Sequence, residues 1–251
     1  MRSERELPTP SAEETPLLQD HQLERWLSSA RQPDTTRKSD GGYHWTQRVQ
    51  YAVGHAVNRY YSAQPELRNH ADAGELVDYR WPRRIAYFDS EKSYWELKDR
   101  VARHLQSFFA ANGYEGQRPV MLYEQFETHV AELGMNLSMI FQAAWQSDDG
   151  EGIHLQKFVV DVDPEVLDGY RHAARVFCRQ AFGTDPAKIE VYSVLDGERI
   201  HLSLDDVSYE KSLDYLRLAH SGMEETNGDQ TCTCGRCKQD ATESVAAFRL
   251  S

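Results

Sequence analysis

The sequence is poor in cysteine and has no long apolar segment, and both shortages exclude classes of protein. Four cysteines in 251 residues, three of them crowded at positions 232, 234 and 237, do not make a disulfide framework. No apolar run approaches the roughly 18 residues that a membrane-spanning helix needs. The first ten residues carry charges where a signal peptide would need its apolar stretch. We therefore expect a soluble, cytoplasmic protein that has no membrane partner.

Basic residues are scarce in the second half of the chain. Residues 121–251 hold 11 Lys and Arg against 23 Asp and Glu, whereas residues 1–120 hold 17 of each, so the second half carries the whole net charge of -12. Each nucleic-acid phosphate contact needs a Lys or Arg, which disfavours nucleic-acid binding by the acidic half. In the first half, Arg80, Arg83 and Arg84 flank Trp81. This cluster either binds a phosphate and stacks on a base, or it lies in a solvated loop and pairs with nearby carboxylates.

The common catalytic and nucleotide-binding motifs are absent as well. The sequence has no phosphate loop, no dinucleotide-binding glycine pattern, no His-Glu-x-x-His and no Gly-x-Ser-x-Gly. No predicted helix carries the Glu-x-x-His spacing of a di-iron bundle. The motifs therefore assign the chain to no family.

The patterns that are present predict helices first and strands later. Apolar residues recur at three- and four-residue spacing in three segments of a helical region at residues 43–150. The first predicted helix covers residues 45–60, and the second follows a cap at Ser90 and extends to residue 108. The third covers residues 122–144, with a kink or break at Gly134. We interpret these three helices as a bundle.

Residues 151–223 have the pattern of a β-α-β-β-α unit. A β-rich run covers residues 154–162, and Asp163 then caps a helix that opens at Pro164 and ends at Gly183. A hairpin comes next, and a last helix covers residues 207–220. Helices segregated from an antiparallel hairpin favour an α+β fold.

The hairpin has the most specific local signal of the chain. Asp196 and Gly197 stand between two alternating runs, which is typical of a two-residue turn. Counting outward from this turn places Tyr192 opposite His201. That pair is either a general acid–base pair or part of a half-buried sheet face.

Both ends of the sequence are polar and predict disordered tails, at residues 1–42 and 224–251. Such segments do not bury enough apolar surface to offset the entropy lost on ordering. Within the first tail, an apolar island predicts one short helix that docks on a partner or on the chain's own domain. The island consists of Leu17, Leu18, Leu23, Trp26 and Leu27.

The C-terminal tail contains the most unusual motif, Cys-Thr-Cys-Gly-Arg-Cys. The thiolates of Cys232, Cys234 and Cys237 are spaced to wrap one zinc ion, and Gly235 allows a tight turn. Zinc usually takes four ligands, so we predict that His220, or a second copy of the chain, supplies the fourth. The alternative is a disordered tail whose cysteines are inert.

Two further clusters of polar residues are candidates for chemistry. One face of the first predicted helix carries His44, Arg48, Tyr51 and His55, which suits anion binding or proton transfer, or is an ordinary solvated face. Four carboxylates come after predicted strands and would together suit a hard divalent cation, although helix capping explains some of them without a metal. They are Asp161, Asp163, Asp205 and Asp206.

The sequence favours a non-catalytic interaction protein, which acts as an adaptor, a regulator or an assembly component of a larger protein complex. This hypothesis depends on the incomplete catalytic sets, the two polar tails and the joining of a neutral half to an acidic one. A metal-dependent enzyme built on the carboxylates, or on Tyr192 and His201, is one alternative. A nucleic-acid-associated factor that uses Arg80, Arg83, Arg84 and a zinc-bound cysteine run is the other.

Overall fold

The computed structural model describes residues 15–31, 44–111, 113–114, 116–147, 150 and 152–228. The α-helices in this part of the chain are α1 Asp20–Arg31, α2 Trp45–Ser62, α3 Pro65–Arg68, α4 Ala73–Asp78, α5 Glu91–Ala110, α6 Pro164–Phe182 and α7 Tyr209–Gly228. The strands are β1 Leu17–Gln19, β2 Met121–Val130, β3 Met135–Gln146, β4 Ile153–Val159, β5 Lys188–Ser193 and β6 Glu198–His201. The α+β class predicted from the sequence is confirmed.

All six strands form one mixed sheet. Strand β3 pairs antiparallel with β2 along its length, and it also pairs with β1 near its start and with β4 near its end. Strands β4 and β5 are parallel, and α6 connects them; β6 then pairs antiparallel with β5. One core lies between the sheet and helices α1, α6 and α7, and a second core lies between the sheet and helices α2, α4 and α5.

The helix predicted at residues 122–144 is wrong: this segment is the β2–β3 hairpin. Its apolar residues Leu122, Phe126 and Val130 are four apart, a spacing that fits both one helical turn and the two-residue period of a strand. Gly134 does not kink a helix but lies in the connecting turn with φ 64°. The region predicted as a helical bundle is therefore helices followed by two long strands.

The first predicted tail also needs correction, because residues 17–31 belong to the folded domain. Strand β1 pairs in parallel with residues 136–138 of β3. Leu18 and Leu23 are fully buried, and Asp20 accepts a hydrogen bond of 2.8 Å from the backbone of Ile140. Glu24 forms an ion pair with the buried Lys157. The apolar island thus docks on its own domain; the rest of the predicted tail, residues 1–14 and 32–42, lies outside the described residues.

The hairpin at Asp196 and Gly197 has a different register from the predicted one. Ser193 pairs with Glu198, so the loop has four residues rather than two, and Tyr192 lies opposite Arg199 instead of His201. The predicted Tyr192–His201 pair is therefore wrong. A shift of two residues keeps each side chain on its predicted face, because the side-chain period of a strand is two.

Local hydrogen bonds explain the longer loop. Ser193 donates from its hydroxyl to the Asp196 carboxylate at 2.6 Å, and the Gly197 amide donates to the Ser193 carbonyl at 2.8 Å. The amide of Val194 is bonded to Val159 of β4, which extends the sheet into the loop. Side-chain capping by Ser and Asp thus competes with the two-residue turn.

The last helix is longer than predicted: α7 is Tyr209–Gly228 instead of residues 207–220, so residues 224–228 of the predicted C-terminal tail are helical, and the rest of that tail lies outside the described residues. The predicted helix caps agree with the structure. Ser90 caps α5, Asp163 caps α6, and Gly183 ends α6 in a left-handed conformation with φ 80°. None of the helices among the described residues is both long and apolar enough to cross a membrane.

Candidate functional site

The outer face of α2 and residues 79–88 together form the most distinctive surface of the described chain. Helix α2 buries its apolar stripe, which leaves the opposite face exposed to solvent. Trp81 anchors the neighbouring segment, because it is buried and its ring lies 6.3 Å from those of Phe88 and Tyr94. With Trp81 directed into the core, the flanking Arg80 and Arg84 remain exposed beside α2.

Four arginines, three of them exposed and Arg48 half-buried, stack on two tyrosines of this segment. Arg59 and Arg80 place their guanidinium carbons 4.7 and 5.1 Å from the centre of the Tyr79 ring. Arg48 and Arg84 lie 3.8 and 6.0 Å from the centre of the Tyr87 ring. Such distances are those of cation–π contacts. We call these six residues, together with Tyr51 and His55, the Arg–Tyr surface.

Among the described residues, three of these arginines lack an acidic partner. No ion pair in this part of the chain involves Arg59, Arg80 or Arg84. Arg83 differs, because it pairs with the Asp78 carboxylate at 3.1 Å. Hydrogen bonds from Lys98 and Arg83 lower the pKa of Asp78. One alternative from the sequence was a solvated loop whose arginines pair with carboxylates. Arg83 fits this alternative, whereas Arg80 and Arg84 do not.

His55 lies inside the Arg–Tyr surface. Its ring centre is 5.6 Å from that of Tyr51 and 6.1 Å from that of Tyr79. The Nε2 atom is buried and has no hydrogen-bond partner in the described part of the chain. Burial lowers the pKa of His55, and the positive charges of Arg80 and Arg59 lower it further. The neutral ring therefore offers an unused nitrogen next to two guanidinium groups.

An acidic recess of about 680 Å³ adjoins this surface and shares Tyr79 with it. Asp72 accepts hydrogen bonds from the backbone amides of Gly74 and Glu75 in the first turn of α4, and Glu75 is exposed. The residues that line the recess are Asp72, Gly74, Glu75, Asp78, Tyr79 and Arg83. The positively charged Arg–Tyr surface and the acidic recess thus meet at the exposed ring of Tyr79.

The predicted zinc ligands divide between the described and the undescribed parts of the chain. Cys232, Cys234 and Cys237 lie outside the described residues, so the zinc site stays a prediction. His220 lies on α7, and its Nδ1 atom is 3.8 Å from a Glu224 carboxylate oxygen one turn further along the helix.

Three of the four carboxylates predicted as a cation site have separate roles, and the fourth, Asp161, is exposed. Asp163 caps α6, Asp206 forms an ion pair of 3.0 Å with Arg171, and Asp205 accepts a hydrogen bond from Ser203. Within the described ranges, no cluster of three or more His, Cys, Asp or Glu side chains has the geometry to hold a metal ion.

Tyr192 also has a structural partner. Its hydroxyl donates to the backbone carbonyl of His104 on α5 at 2.8 Å. Cys178 is buried on α6, and burial raises the pKa of its thiol to about 12, so this cysteine packs in the core and is not an activated nucleophile.

The structure contains a buried polar network between the sheet and α5 that was not predicted from the sequence. Glu190 is 2% exposed and accepts hydrogen bonds from Gln156, Lys188 and Arg199 at 2.9 to 3.0 Å. The signal for it was the alternation along β4, where polar His154 and Gln156 flank apolar Leu155. The β propensity of that run predicts a strand but does not show which of its polar side chains are buried.

His154 is the second part of this network. Its Nδ1 atom lies 2.5 Å from the hydroxyl of Tyr114, and its Nε2 atom is buried without a partner among the described residues. Burial lowers the pKa of His154 to about 4, so the ring is neutral near pH 7. The Tyr114 ring stacks on Trp145 with ring centres 4.3 Å apart, and its centre lies 5.5 Å from that of the His154 ring.

No protein-family model matches this sequence, and no curated protein matches it. Function must then be argued from the chemistry of its own residues. Of the two clusters, the His154 network is enclosed by the fold, whereas the Arg–Tyr surface faces solvent.

Proposed function

We propose that this chain is a non-catalytic interaction protein, an adaptor, regulator or assembly component of a larger complex, and that the Arg–Tyr surface binds its protein partner. The observation that carries the proposal is the set of three exposed arginines, Arg59, Arg80 and Arg84, stacked on tyrosines without an acidic partner in the described chain. A protein with a net charge of -12 has many carboxylates that could have paired with them.

The chemistry of the surface supports this role. Tyrosine and arginine are among the residues enriched at protein–protein interfaces and at their energetic centres. An arginine held against an aromatic ring is already ordered, so it loses less conformational entropy when it binds. The guanidinium group is also weakly hydrated, which reduces the cost of removing it from water. Tyr51 and Tyr79, each about half exposed, add apolar contact area.

One observation favours a second candidate, a nucleic-acid-associated factor. Arginines interleaved with exposed aromatic rings are also what single-stranded nucleic acids bind, through phosphate contacts and base stacking. The adjoining recess argues against it, because Asp72 and Glu75 would repel the phosphates of a strand that continued past Tyr79.

The test is quantitative co-purification of the tagged full-length chain from its native cells. We expect Arg80→Glu to reduce recovery of the partner proteins by at least about tenfold, because one interface charge pair is replaced by repulsion. The matched control is Arg25→Glu, which makes the same charge change at an exposed position on α1, on the other side of the sheet.

Both variants should keep the melting temperature of the wild type, since both side chains are exposed. Equal recovery of partner proteins with Arg80→Glu and Arg25→Glu would refute the proposed function.

A further inference from the structure

We infer that Arg59, Arg80 and His55 form a binding site for one acidic side chain of a partner peptide, and that Tyr79 is the floor of this site. The inference rests on the proposed function and specifies the chemistry that the Arg–Tyr surface recognises. The acidic group is a carboxylate or a phosphate ester, because both present the anionic oxygens that paired guanidinium groups bind.

The geometry gives the site three donors around one ring. Arg59 comes from α2 and Arg80 from the segment after α4, and both guanidinium groups lie within about 5 Å of the Tyr79 ring centre. His55 is one helical turn before Arg59 and faces the same ring. Its Nε2 atom is buried and unpartnered within the described chain, so a bound oxygen would supply the hydrogen bond that it lacks.

Binding of an anion at this site should depend on pH. The groups that face His55 are Tyr51 and Arg59 on α2, and Tyr79 and Arg80 on the neighbouring segment. Among them only the two arginines are charged near neutral pH, and their positive charges disfavour the protonated ring. A bound anion would oppose this effect and raise the pKa of His55, so by linkage the anion binds more tightly at an acidity at which the ring takes up a proton.

The neighbouring recess indicates which residue type lies next to the acidic group in the peptide. Asp72 and Glu75 lie beyond Tyr79, so a position adjacent to the bound anion meets negative charge. A peptide in which an acidic residue is followed by a Lys or Arg matches both the cationic site and the acidic recess beside it. A nucleic-acid strand does not, because it presents a further phosphate at each step.

Fluorescence polarisation with labelled peptides tests the site on the full-length chain. The probes are Gly-Ser-Glu-Lys-Ser-Gly, the same peptide with phosphoserine in place of Glu, a control with Gln in that place, and a twelve-residue oligothymidylate. We expect the Glu or the phosphoserine peptide to bind at least about tenfold more tightly than the Gln peptide, the usual effect of one charge-assisted hydrogen-bonded pair. The tighter of the two identifies the source of the anion.

Three variants assign the binding to the inferred residues. Arg59→Gln and Arg80→Gln should each weaken the tighter peptide by about tenfold, whereas the control Arg25→Gln should not. The wild type should bind the Glu peptide, whose carboxylate stays ionised, more tightly at pH 6 than at pH 8, and His55→Asn should remove this difference.

The outcomes separate the two proposals. Equal binding of the Glu, phosphoserine and Gln peptides up to about 1 mM, a typical weak limit, overturns the site, and so does tighter binding of the oligothymidylate. If the peptides fail while Arg80→Glu still loses the partner proteins, the proposed function stands and the acidic-group site is wrong. If the peptides bind but co-purification is unchanged, the site exists and the proposed function fails.

Discussion

One buried histidine, His154, makes the stability of this molecule depend on pH. His154 is 4% exposed, its Nδ1 atom contacts the Tyr114 hydroxyl, and burial lowers its pKa to about 4. In the unfolded chain its pKa returns to about 6.5. Between these values the unfolded chain binds a proton that the folded chain does not bind. Its contribution to stability is therefore complete above about pH 6.5 and is lost as pH falls towards 4.

We predict that the free energy of unfolding decreases from pH 6.5 to pH 4, and that His154 accounts for at most about 3 kcal/mol of this decrease. His154→Gln should remove that part, because glutamine keeps an acceptor for the Tyr114 hydroxyl and does not titrate. The measurement is urea unfolding at several pH values.

The control for this prediction is His70→Gln at an exposed position, which should retain the pH dependence of the wild type. Glu190 adds its own pH dependence at the acidic end of this range: burial opposes its ionisation, but the hydrogen bond from Lys188 and the charge of Arg199 lower its pKa below the usual 4.5. The wild type and His154→Gln share this part, so the difference between the two variants reports His154. The same pH dependence in His154→Gln as in the wild type would contradict the prediction.

A second residue-scale effect concerns Gly197 in the β5–β6 loop. Its φ is 73°, and a Cβ atom there would lie 3.1 Å from the His104 ring. A β-branched residue is strained at this φ and also crowds the histidine. We predict that Gly197→Val lowers the free energy of unfolding by about 1–3 kcal/mol, measured by denaturant unfolding.

The matched control is Gly116→Val. Gly116 is exposed, has no positive φ, and a Cβ atom there would meet no atom of the described residues within 4 Å. Its change in stability should stay within about 0.5 kcal/mol. Equal melting temperatures for Gly197→Val and the wild type would show that the loop does not require this conformation.

At the scale of elements, the docking of β1 and α1 explains how an N-terminal segment surrounded by polar chain becomes part of the domain. Helix α1 packs tightly on α6 and α7, because a Cβ atom on Gly169 would lie 2.5 Å from Leu27 and one on Gly222 would lie 2.7 Å from Trp26. The ion pair of Glu24 with Lys157, a lysine whose side chain is 8% exposed, joins the helix to the sheet.

We predict that Glu24→Ala releases α1 from the domain. The change leaves a buried ammonium group without its partner, which costs about 3 kcal/mol or more. Tryptic cleavage after Arg25 should be slow in the wild type and fast in Glu24→Ala, as followed by mass spectrometry. Gln22→Ala, at an exposed position of the same helix, should be cleaved as slowly as the wild type. Fast cleavage after Arg25 in the wild type would contradict a stably docked α1.

At the scale of the whole molecule, the zinc site predicted at the cysteine run can be tested directly. From His220 to Gly228 the helix α7 rises about 12 Å, and the four residues from 229 to Cys232 span at most about 14 Å. The chain is therefore just long enough to bring Cys232 back to His220. If a second copy of the chain supplies the fourth ligand, Cys232 does not have to reach His220.

We predict about one zinc ion per chain, or one per two chains if dimers share it, measured by elemental analysis of purified protein. Cys234→Ser should abolish the zinc, and His220→Ala should do so only if His220 is the fourth ligand. Zinc content should fall with decreasing pH, because the thiolates must lose their protons to bind the metal. Zinc-free protein prepared under reducing conditions, with three reactive thiols in the C-terminal segment, would refute the prediction.

Local signals in the sequence determined several elements of the fold, because those elements depend on residues close together in the chain. The boundaries of α6 follow from Asp163, Pro164 and Gly183, and the start of α5 follows from Ser90. The β2–β3 hairpin was misread because a four-residue spacing satisfies a helix and a strand equally. Only pairing of β3 with three other strands, an interaction between distant segments, decides between the two.

The candidate site divides in the same way. The sequence by itself identified two of its parts: the polar face of α2 with Arg48, Tyr51 and His55, and the arginine cluster around Trp81. It gave no reason to combine them, because Arg59 and Arg80 are 21 positions apart and no periodicity connects them. The tertiary structure decided their meeting: burial of Trp81 in the core fixes the segment against α2, and the arginines left outside come together on exposed tyrosines.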